Sequence, residues 1–310
     1  MNTRDGTAPA VAVLVLNWKR ADDTVRCLQD LRACAYPALH VLAMDNGSGD
    51  GSAARIQAAC PEVELMAFPD NLGYCVAINR GIAWARTRGA SYVLLLNNDT
   101  RVPPGFLTPL VEALEADASA ACAGPRMLLP DGRVWCAGGD LRFGPNLSRL
   151  RGHGAADRGQ FERPVAVDYM PGACALYRLA DLAAVGDLTE DYFMYHEDVD
   201  LGLRLAGRGR RVLYVPWSVI THDASRSTGG GVSPRRKFMS AVNSVRFLRR
   251  HGSAARWLAF WCCDVLALPL VLLAAVLRGR PAAPVLAKAR GLWHGLRGHQ
   301  LSARDVEVRP

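Results

Sequence analysis

Ser91-Tyr92-Val93-Leu94-Leu95-Leu96-Asn97-Asn98-Asp99-Thr100 is an apolar run that ends abruptly in two amides, a carboxylate and a hydroxyl. Short unbroken runs of Val and Leu mark strands buried on both faces of a parallel sheet, and ligands of open α/β sheets gather outside the carboxyl ends of such strands. The stretch therefore predicts a buried strand that delivers Asp99 to the edge where chemistry is usually done.

Upstream the pattern repeats. Residues 11–16 are apolar and end in Asn17, and residues 21–33 place Val25, Leu28 and Leu31 on one helical face behind Asp22 or Asp23 as N-cap. A second strand over 40–44 stops at Asp45-Asn46-Gly47-Ser48-Gly49-Asp50-Gly51-Ser52, a loop dense in turn residues, before a helix over 53–59. Residues 63–67 read as a third strand, 71–86 as a loop and helix, and 92–96 as the fourth strand. Such alternation predicts an α/β fold with a doubly wound, mostly parallel sheet. Beyond Thr100 it loosens. The Gly- and Arg-rich residues 138–159 read as an excursion over the sheet, and order returns over 165–178, 192–207 and a short strand 211–215 closed by Pro216.

A chain of 310 residues, half of them apolar, can bury one large α/β core and still carry an appendage. The first ten residues are polar, without the charged start and apolar stretch of a secretory signal, so they are expected to be disordered and the folded part cytosolic. Nine scattered cysteines with no C-x-x-C pair are expected to be reduced, partly buried small hydrophobes, the adjacent Cys262 and Cys263 included.

Charge is unevenly distributed. Residues 226–310 hold 15 Lys and Arg against 3 Asp and Glu, net +12, which leaves residues 1–225 at net −4 out of a total of +8. This basic tail surrounds an apolar stretch and carries no nucleic-acid signature, so membrane phosphate is the expected partner and nucleic acid is not. From Trp257 to Leu277 only Asp264 and Pro269 interrupt the stretch, and Arg278 and Arg280 follow it. Its length just suffices to span a bilayer, although a central Asp costs about 2.5–3.5 kcal/mol on insertion scales. Spanning or re-entrant insertion, surface-lying helices and a buried core helix all stand as readings, and the first two share membrane contact.

Three strand ends, Asn17, Asp45 and Asp99, converge on one edge. Each alone reads as readily as a cap or turn former, but three in one sheet, with Asn97 and Asn98 alongside, point to a ligand edge. In Phe193-Met194-Tyr195-His196-Glu197-Asp198-Val199-Asp200-Leu201 three acids follow aromatic residues. Glu197 and Asp200 are expected to favour a helix N-terminus through the macrodipole, and Asp198 to serve as a base. His222 follows a short apolar strand, where a histidine is either a hydrogen-bonded structural residue or a ligand.

Residues 11–17, the 45–52 loop, Asn71-Leu72-Gly73 with Asn79-Arg80-Gly81, Leu95-Leu96-Asn97-Asn98-Asp99-Thr100, Glu197-Asp198-Val199-Asp200-Leu201 and His222 occur in an order that resembles glycosyltransferase family 2, above all its rhamnosyltransferase-like bacterial members. The resemblance covers residues 10–250 or so. It implies a GT-A fold over 11–250, with a nucleotide-binding half (11–100) and an acceptor half (101–250), before a membrane-associating helical tail (251–310). By similarity Asn17, Asp45, Asn71, Arg80, Asn97, Asn98 and Asp99 would bind the donor, Asp45 reading its base and Arg80 lying near the nucleotide. Asp99 would occupy the metal-binding D-x-D position with His222 as a further ligand of Mg2+ or Mn2+, and Asp198 would be the catalytic base. The implied donor is a dTDP- or UDP-sugar, with rhamnose suggested by the resemblance alone. The implied acceptor is a saccharide or polyprenyl-linked saccharide at the cytoplasmic face of the cell membrane, in cell-envelope polysaccharide synthesis. Self-association is left open.

The chemistry agrees with these roles. A divalent cation neutralises the charge that develops on a departing diphosphate, and a hard cation takes oxygen ligands. One base and no second carboxylate nucleophile predict a single displacement with inversion. The loop with Arg226 and Ser227, followed by three glycines, reads equally as a lid over the diphosphate or as a linker, and Trp217 and Gly172 are expected to border the acceptor pocket. Two departures matter. Position 97 is Asn, so the D-x-D keeps one carboxylate, and Arg256-Trp257 lacks the Gln of the Q-x-x-R-W signature of processive synthases, which points to addition of one or few sugars. Two rivals stand beside this reading: a sugar-1-phosphate nucleotidyltransferase, which would want a Gly-rich N-terminal loop absent here, and a catalytically inactive membrane-docked scaffold that keeps the fold for binding.

Overall fold

The computed structural model describes residues 8–143, 146–223 and 233–307. Residues 1–7 and the loop with Arg226 and Ser227 lie outside them. The parallel half of a mixed sheet is built from β1 (Val11–Asn17), β2 (Leu39–Asn46), β3 (Glu64–Phe68) and β4 (Tyr92–Asn97), connected by helices α1 (Ala21–Arg32), α2 (Ser52–Ala59) and α3 (Tyr74–Thr87). β1 lies between β4 and β2, and residues 11–15 and 92–96 are almost completely buried. Burial on both faces is why these two segments read as unbroken apolar runs. α1 starts earlier than its acids suggest: Arg20 is the N-cap, and Asp22 and Asp23 lie in the first turn. Asn17 Oδ1, at the end of β1, accepts the Arg20 N–H at 3.3 Å.

Beyond β4 come β5 (Thr100–Arg101), α4 (Thr108–Ala116), β6 (Ala120–Leu128), β7 (Val134–Cys136), β8 (Gly139–Leu141), β9 (Ser148–Leu150), β10 (Val165–Val167), β11 (Cys174–Arg178), α5 (Leu179–Val185), α6 (Glu197–Ala206) and β12 (Arg211–His222). β11 joins the two halves antiparallel, against β4 on one side and β6 on the other, giving the order β10-β12-β6-β11-β4-β1-β2-β3. Pro216 does not close a strand as the sequence suggested. β12 runs through it to His222, and the pairing with β6 jumps from Val215 to Val219. A residue without an N–H is tolerated where the ladder bulges. The Gly-rich excursion contains a small hairpin of β8 and β9. All nine cysteines are free thiols, and six of them are buried.

A helical region follows. α7 (Pro234–His251) packs along α10 (Ala283–Leu296), with Gly291 and Gly295 at the contact, where a Cβ would meet the backbone of Phe238 and Val242. Between them α8 (Ala254–Phe260), a π-helical turn (Trp261–Leu266) and α9 (Leu268–Leu277) form one helix of 24 residues. It is long and apolar enough to cross a membrane, and only 11% of its most apolar window is buried. The reading as a buried core helix therefore fails. Phe260 shares an apolar cluster with Leu292, and Asp264 pairs with Lys288, so α10 runs back antiparallel beside the apolar helix.

Candidate active site

A pocket of about 330 Å³ opens at the carboxyl edge of β1, β2 and β4. The parallel half contributes Trp18, Arg20, Asn46, Asn71 and the run Asn97-Asn98-Asp99. Trp135, Ser148, Leu150, Tyr169 and Gly172 come from the other half, His196, Glu197 and Asp198 from the start of α6, His222 from β12, and Arg236 and Ser240 from α7.

Asp99 and His222 meet because β5 pairs antiparallel with the end of β12, which sets His222 opposite Thr100. Asp223 N–H donates to Asp99 O at 2.9 Å and extends the pairing by one residue. His222 Nε2 then stands 3.0 Å from Asp99 Oδ1, and the edge of the Trp135 ring packs on the imidazole at a centroid distance of 4.3 Å. His222 is buried, and its Nδ1 has no hydrogen-bond partner among the described residues. Neighbouring ligands of an octahedral hard cation with bonds of about 2.1 Å lie about 3.0 Å apart. The 3.0 Å separation of the pair is a hydrogen-bond length, and it is also the spacing of two adjacent ligands of such an ion. Among the described residues no cluster of three or more His, Cys, Asp and Glu side chains forms, so phosphate oxygens and water would complete the shell.

Asp198 sits in the first turn of α6, where its Oδ1 accepts the Val199 N–H at 2.8 Å and the Gly172 amide also bonds it. Burial pushes its carboxyl up, against the pull of those amides and of the Arg236 charge. Glu197 is buried with an unpartnered Oε2, and burial together with Asp198 pushes it up as well. Glu197 lies in the first turn as expected, where burial disfavours its charge. His196, the α6 N-cap, is pushed down to about 4 by burial and by Arg236, which leaves a neutral imidazole. Asp200 lies in the first turn as well. It is fully buried and faces inward, accepting from Thr189 Oγ1 at 2.8 Å, Tyr192 Oη at 3.3 Å, Arg204 Nε at 2.7 Å and His251 Nε2 at 2.7 Å. Burial alone would raise its carboxyl, yet the His251 hydrogen bond and the other donors hold it down at about 2.

Several anticipated residues stand elsewhere. Asn17 and Asp45 lie behind the pocket wall with their polar atoms engaged by one another: Asn17 Nδ2 donates to Asp45 Oδ1 at 2.6 Å, and Ser48 donates to both oxygens of Asp45. Asn46 reaches the pocket instead and donates to Asn71 Oδ1 at 3.0 Å. Arg80 is exposed on α3, away from the pocket lining, and Trp217, 56% exposed, projects from the β12 bulge. Gly172 is at the wall, where a Cβ would come within 2.8 Å of Tyr74 Oη. Arg226 and Ser227 are outside the described residues.

Trp18, Trp135, Tyr169 and Arg236 were not anticipated. For Arg236 the signal was there: Pro234-Arg235-Arg236-Lys237 follows the Ser233 cap and puts three cations at the positive end of a helix, a placement that the macrodipole disfavours.

The sequence model of glycosyl transferase family 2 matches residues 12–186. The chain is 31% identical over 243 residues to the N-acetylglucosaminyl-diphospho-decaprenol L-rhamnosyltransferase of Mycobacterium tuberculosis, covering 70% of this chain and 77% of that protein. It is 26% identical over 205 residues to the polyprenol monophosphomannose synthase of Mycolicibacterium smegmatis, covering 65% and 74%. Among solved structures, a mannosyltransferase from Pyrobaculum calidifontis in complex with GDP-Man and Mn2+ superposes with a TM-score of 0.60 at 18% identity, over 93% of this chain and 81% of that one.

Proposed function

The chain belongs to glycosyl transferase family 2 and has the GT-A fold, and from that premise we propose that it moves a single sugar from a nucleotide-diphosphate donor to a hydroxyl of a polyprenyl-linked saccharide in cell-envelope polysaccharide synthesis. The acceptor class is supported by the two mycobacterial relatives, whose names specify a decaprenol-linked and a polyprenol substrate. Rhamnose carried by dTDP or UDP is the finer part of the proposal, and rests on the first of them.

One observation carries the reading: Asp198 and the Asp99–His222 pair line the same pocket. Asp99 and His222 would hold Mg2+ or Mn2+, which when bound supplies positive charge against the developing diphosphate. Asp198 takes the proton of the acceptor hydroxyl as its oxygen bonds to the anomeric carbon and the bond to the diphosphate breaks. Its raised pKa makes it a better proton acceptor than an exposed carboxylate. With one base and one displacement, the configuration at that carbon inverts. Asn46, Asn71 and Trp18 line the end of the pocket nearer the parallel strands and are assigned to the nucleotide.

The apolar helix supports docking at the cytoplasmic face of the membrane. Leu258, Leu266, Leu270, Leu273 and Leu277 are all at least 55% exposed on it, and Leu286 and Trp293 extend the apolar surface onto α10. Arg278 and Arg280 follow directly, placed to meet anionic headgroups. The test is transfer by the purified full chain from a panel of nucleotide sugars, with Mn2+, to a short-chain polyprenyl-diphosphate saccharide. Product with the donor's anomeric configuration retained would overturn the single displacement. Pyrophosphate release from a sugar phosphate and a nucleoside triphosphate would mark nucleotidyl transfer instead.

A further inference from the structure

The turn before Asp198 follows a backbone path that few side chains tolerate. Phe193, Tyr195 and His196 all have positive φ, of 59°, 73° and 70°. Met194 N–H donates to Tyr192 O at 2.6 Å across Phe193, which makes a γ-turn of the rare hand. Something outside the turn has to hold it there.

The turn's carbonyls show what does. Asn243, wholly buried in α7, donates through Nδ2 to the carbonyl oxygens of Tyr192, Met194 and Tyr195 at 2.9, 2.8 and 2.8 Å, sharing two hydrogens among three acceptors. Phe193 O accepts the Tyr74 and Cys75 N–H groups at the start of α3, at 2.7 and 3.3 Å, and His196 O accepts Asp200 N–H inside α6. Every carbonyl from Tyr192 to His196 is therefore engaged. Arg246 Nη1 donates to Asn243 Oδ1 at 2.8 Å, which fixes the direction in which the amide points. Arg246 is itself anchored through Nη2 to His299 O and Gln300 Oε1.

We propose that Asn243 is a positioning residue for the transfer reaction: its amide clamps the Tyr192–His196 turn so that His196 caps α6 and Asp198 faces the pocket. This rests on the reading of Asp198 as the base. Without the three donations the turn relaxes toward ordinary φ values, and Asp198, two residues beyond His196, moves with it. The donor end of the pocket belongs to the parallel strands and stays in place.

Asn243→Asp keeps the size of the side chain and the acceptor for Arg246 but removes the donor. Arg246→Ala leaves Asn243 in place and lets its amide turn, and it keeps the proposal testable if Asn243→Asp folds poorly. In the full chain, kcat per nucleotide-binding site, counted by titration with nucleotide and Mn2+, is expected to fall about tenfold to a hundredfold in the first variant and less in the second. The donor KM should stay within about twofold of wild type. The acid limb of the kcat/KM profile should move, a change that mere loss of folded protein would not produce. Wild-type kcat per binding site in both variants would overturn the proposal. Asp198→Asn, measured alongside, separates the two readings: if it keeps full turnover, the base assignment fails and the proposal with it, whereas if it is inactive and both clamp variants are normal, the proposal alone fails.

Discussion

His222 Nε2 lies 3.0 Å from Asp99 Oδ1, and the two-residue ladder of β5 against β12 is what brings them together. Their side chains are 123 positions apart in the chain and are held at the pocket by backbone pairing, before any ligand arrives. Because position 97 is Asn, Asp99 is the carboxylate left to face a cation in that motif. Asp99→Asn is expected to lower kcat by about 10²–10³-fold, the size of effect seen when one preorganised electrostatic contact is removed from a transition state. His222→Ala should raise the Mn2+ concentration needed for half-maximal activity. An unchanged metal titration in both variants would remove the pair from the metal's shell.

Asp198→Asn should reduce turnover by about 10²–10⁴-fold while nucleotide binding persists. Burial raises the Asp198 carboxyl in the folded protein, and a base works only when deprotonated. Activity should therefore fall with falling pH through a value above the ordinary carboxylate pKa of about 4. A kcat/KM profile flat down to pH 4 would contradict this.

Asp200 carries a different prediction, about folding. Asp200→Ala leaves Arg204 and His251 facing a buried gap, and loss of one partner from such a network costs about 3–5 kcal/mol. Denaturant titration would measure it. The folded pKa, about 2, lies below the unfolded one of about 3.9, so the stabilisation is complete above the unfolded value and is lost as pH falls toward 2. A wild-type stability curve that stays flat between pH 4 and 2, unlike this expectation, would assign the network little weight.

Gly291→Ala should loosen the helical region. The added methyl would collide with the Phe238 carbonyl and crowd Ala241, and overpacking of this kind costs about 1–3 kcal/mol. Faster limited proteolysis between α9 and α10, with nucleotide affinity unchanged, is the expected result.

Replacing Leu270, Leu273 and Leu277 together with Asp should weaken binding to anionic vesicles at least about a hundredfold, because each leucine contributes about 1.5–3 kcal/mol when its side chain leaves water. All three are exposed, so the thermal melt should barely move. Vesicle flotation as strong as wild type would end the docking proposal.

Elements whose cause is local were legible in the chain. Residues 11–16 and 92–96 are apolar because both faces of their strands are buried, and the sequence alone suffices to see that. Asp22 and Asp23 misled as caps because the helix begins at Ala21, which leaves both inside its first turn. Pro216 misled as a strand terminus because a bulge, set by pairing with β6, absorbs it. In the candidate site Asp99 and Asp198 could be picked out by residue type and place, His222 only through the family resemblance, and the structure brings all three to one pocket. That Asn46 rather than Asp45 reaches the pocket depends on which way a side chain leaves the end of β2, and Asp45 is drawn inward by Asn17 and Ser48. Asn243 gave no signal, because its partners are carbonyl oxygens of a distant turn and any residue type has those.

The Asp264–Lys288 pair and the Phe260–Leu292 contact tie the apolar helix to α10, and α10 is fastened to α7 beside the pocket. The 24-residue helix is thus one arm of a hairpin, whose other arm turns back toward the pocket-bearing body. If the hairpin is kept when the protein docks on a bilayer, a reporter fused behind α11 (Ala303–Glu307) would be found on the same side as the nucleotide pocket. Under the proposed function, an enzyme docked in this way would be confined to a plane and would meet a lipid-linked acceptor by lateral diffusion.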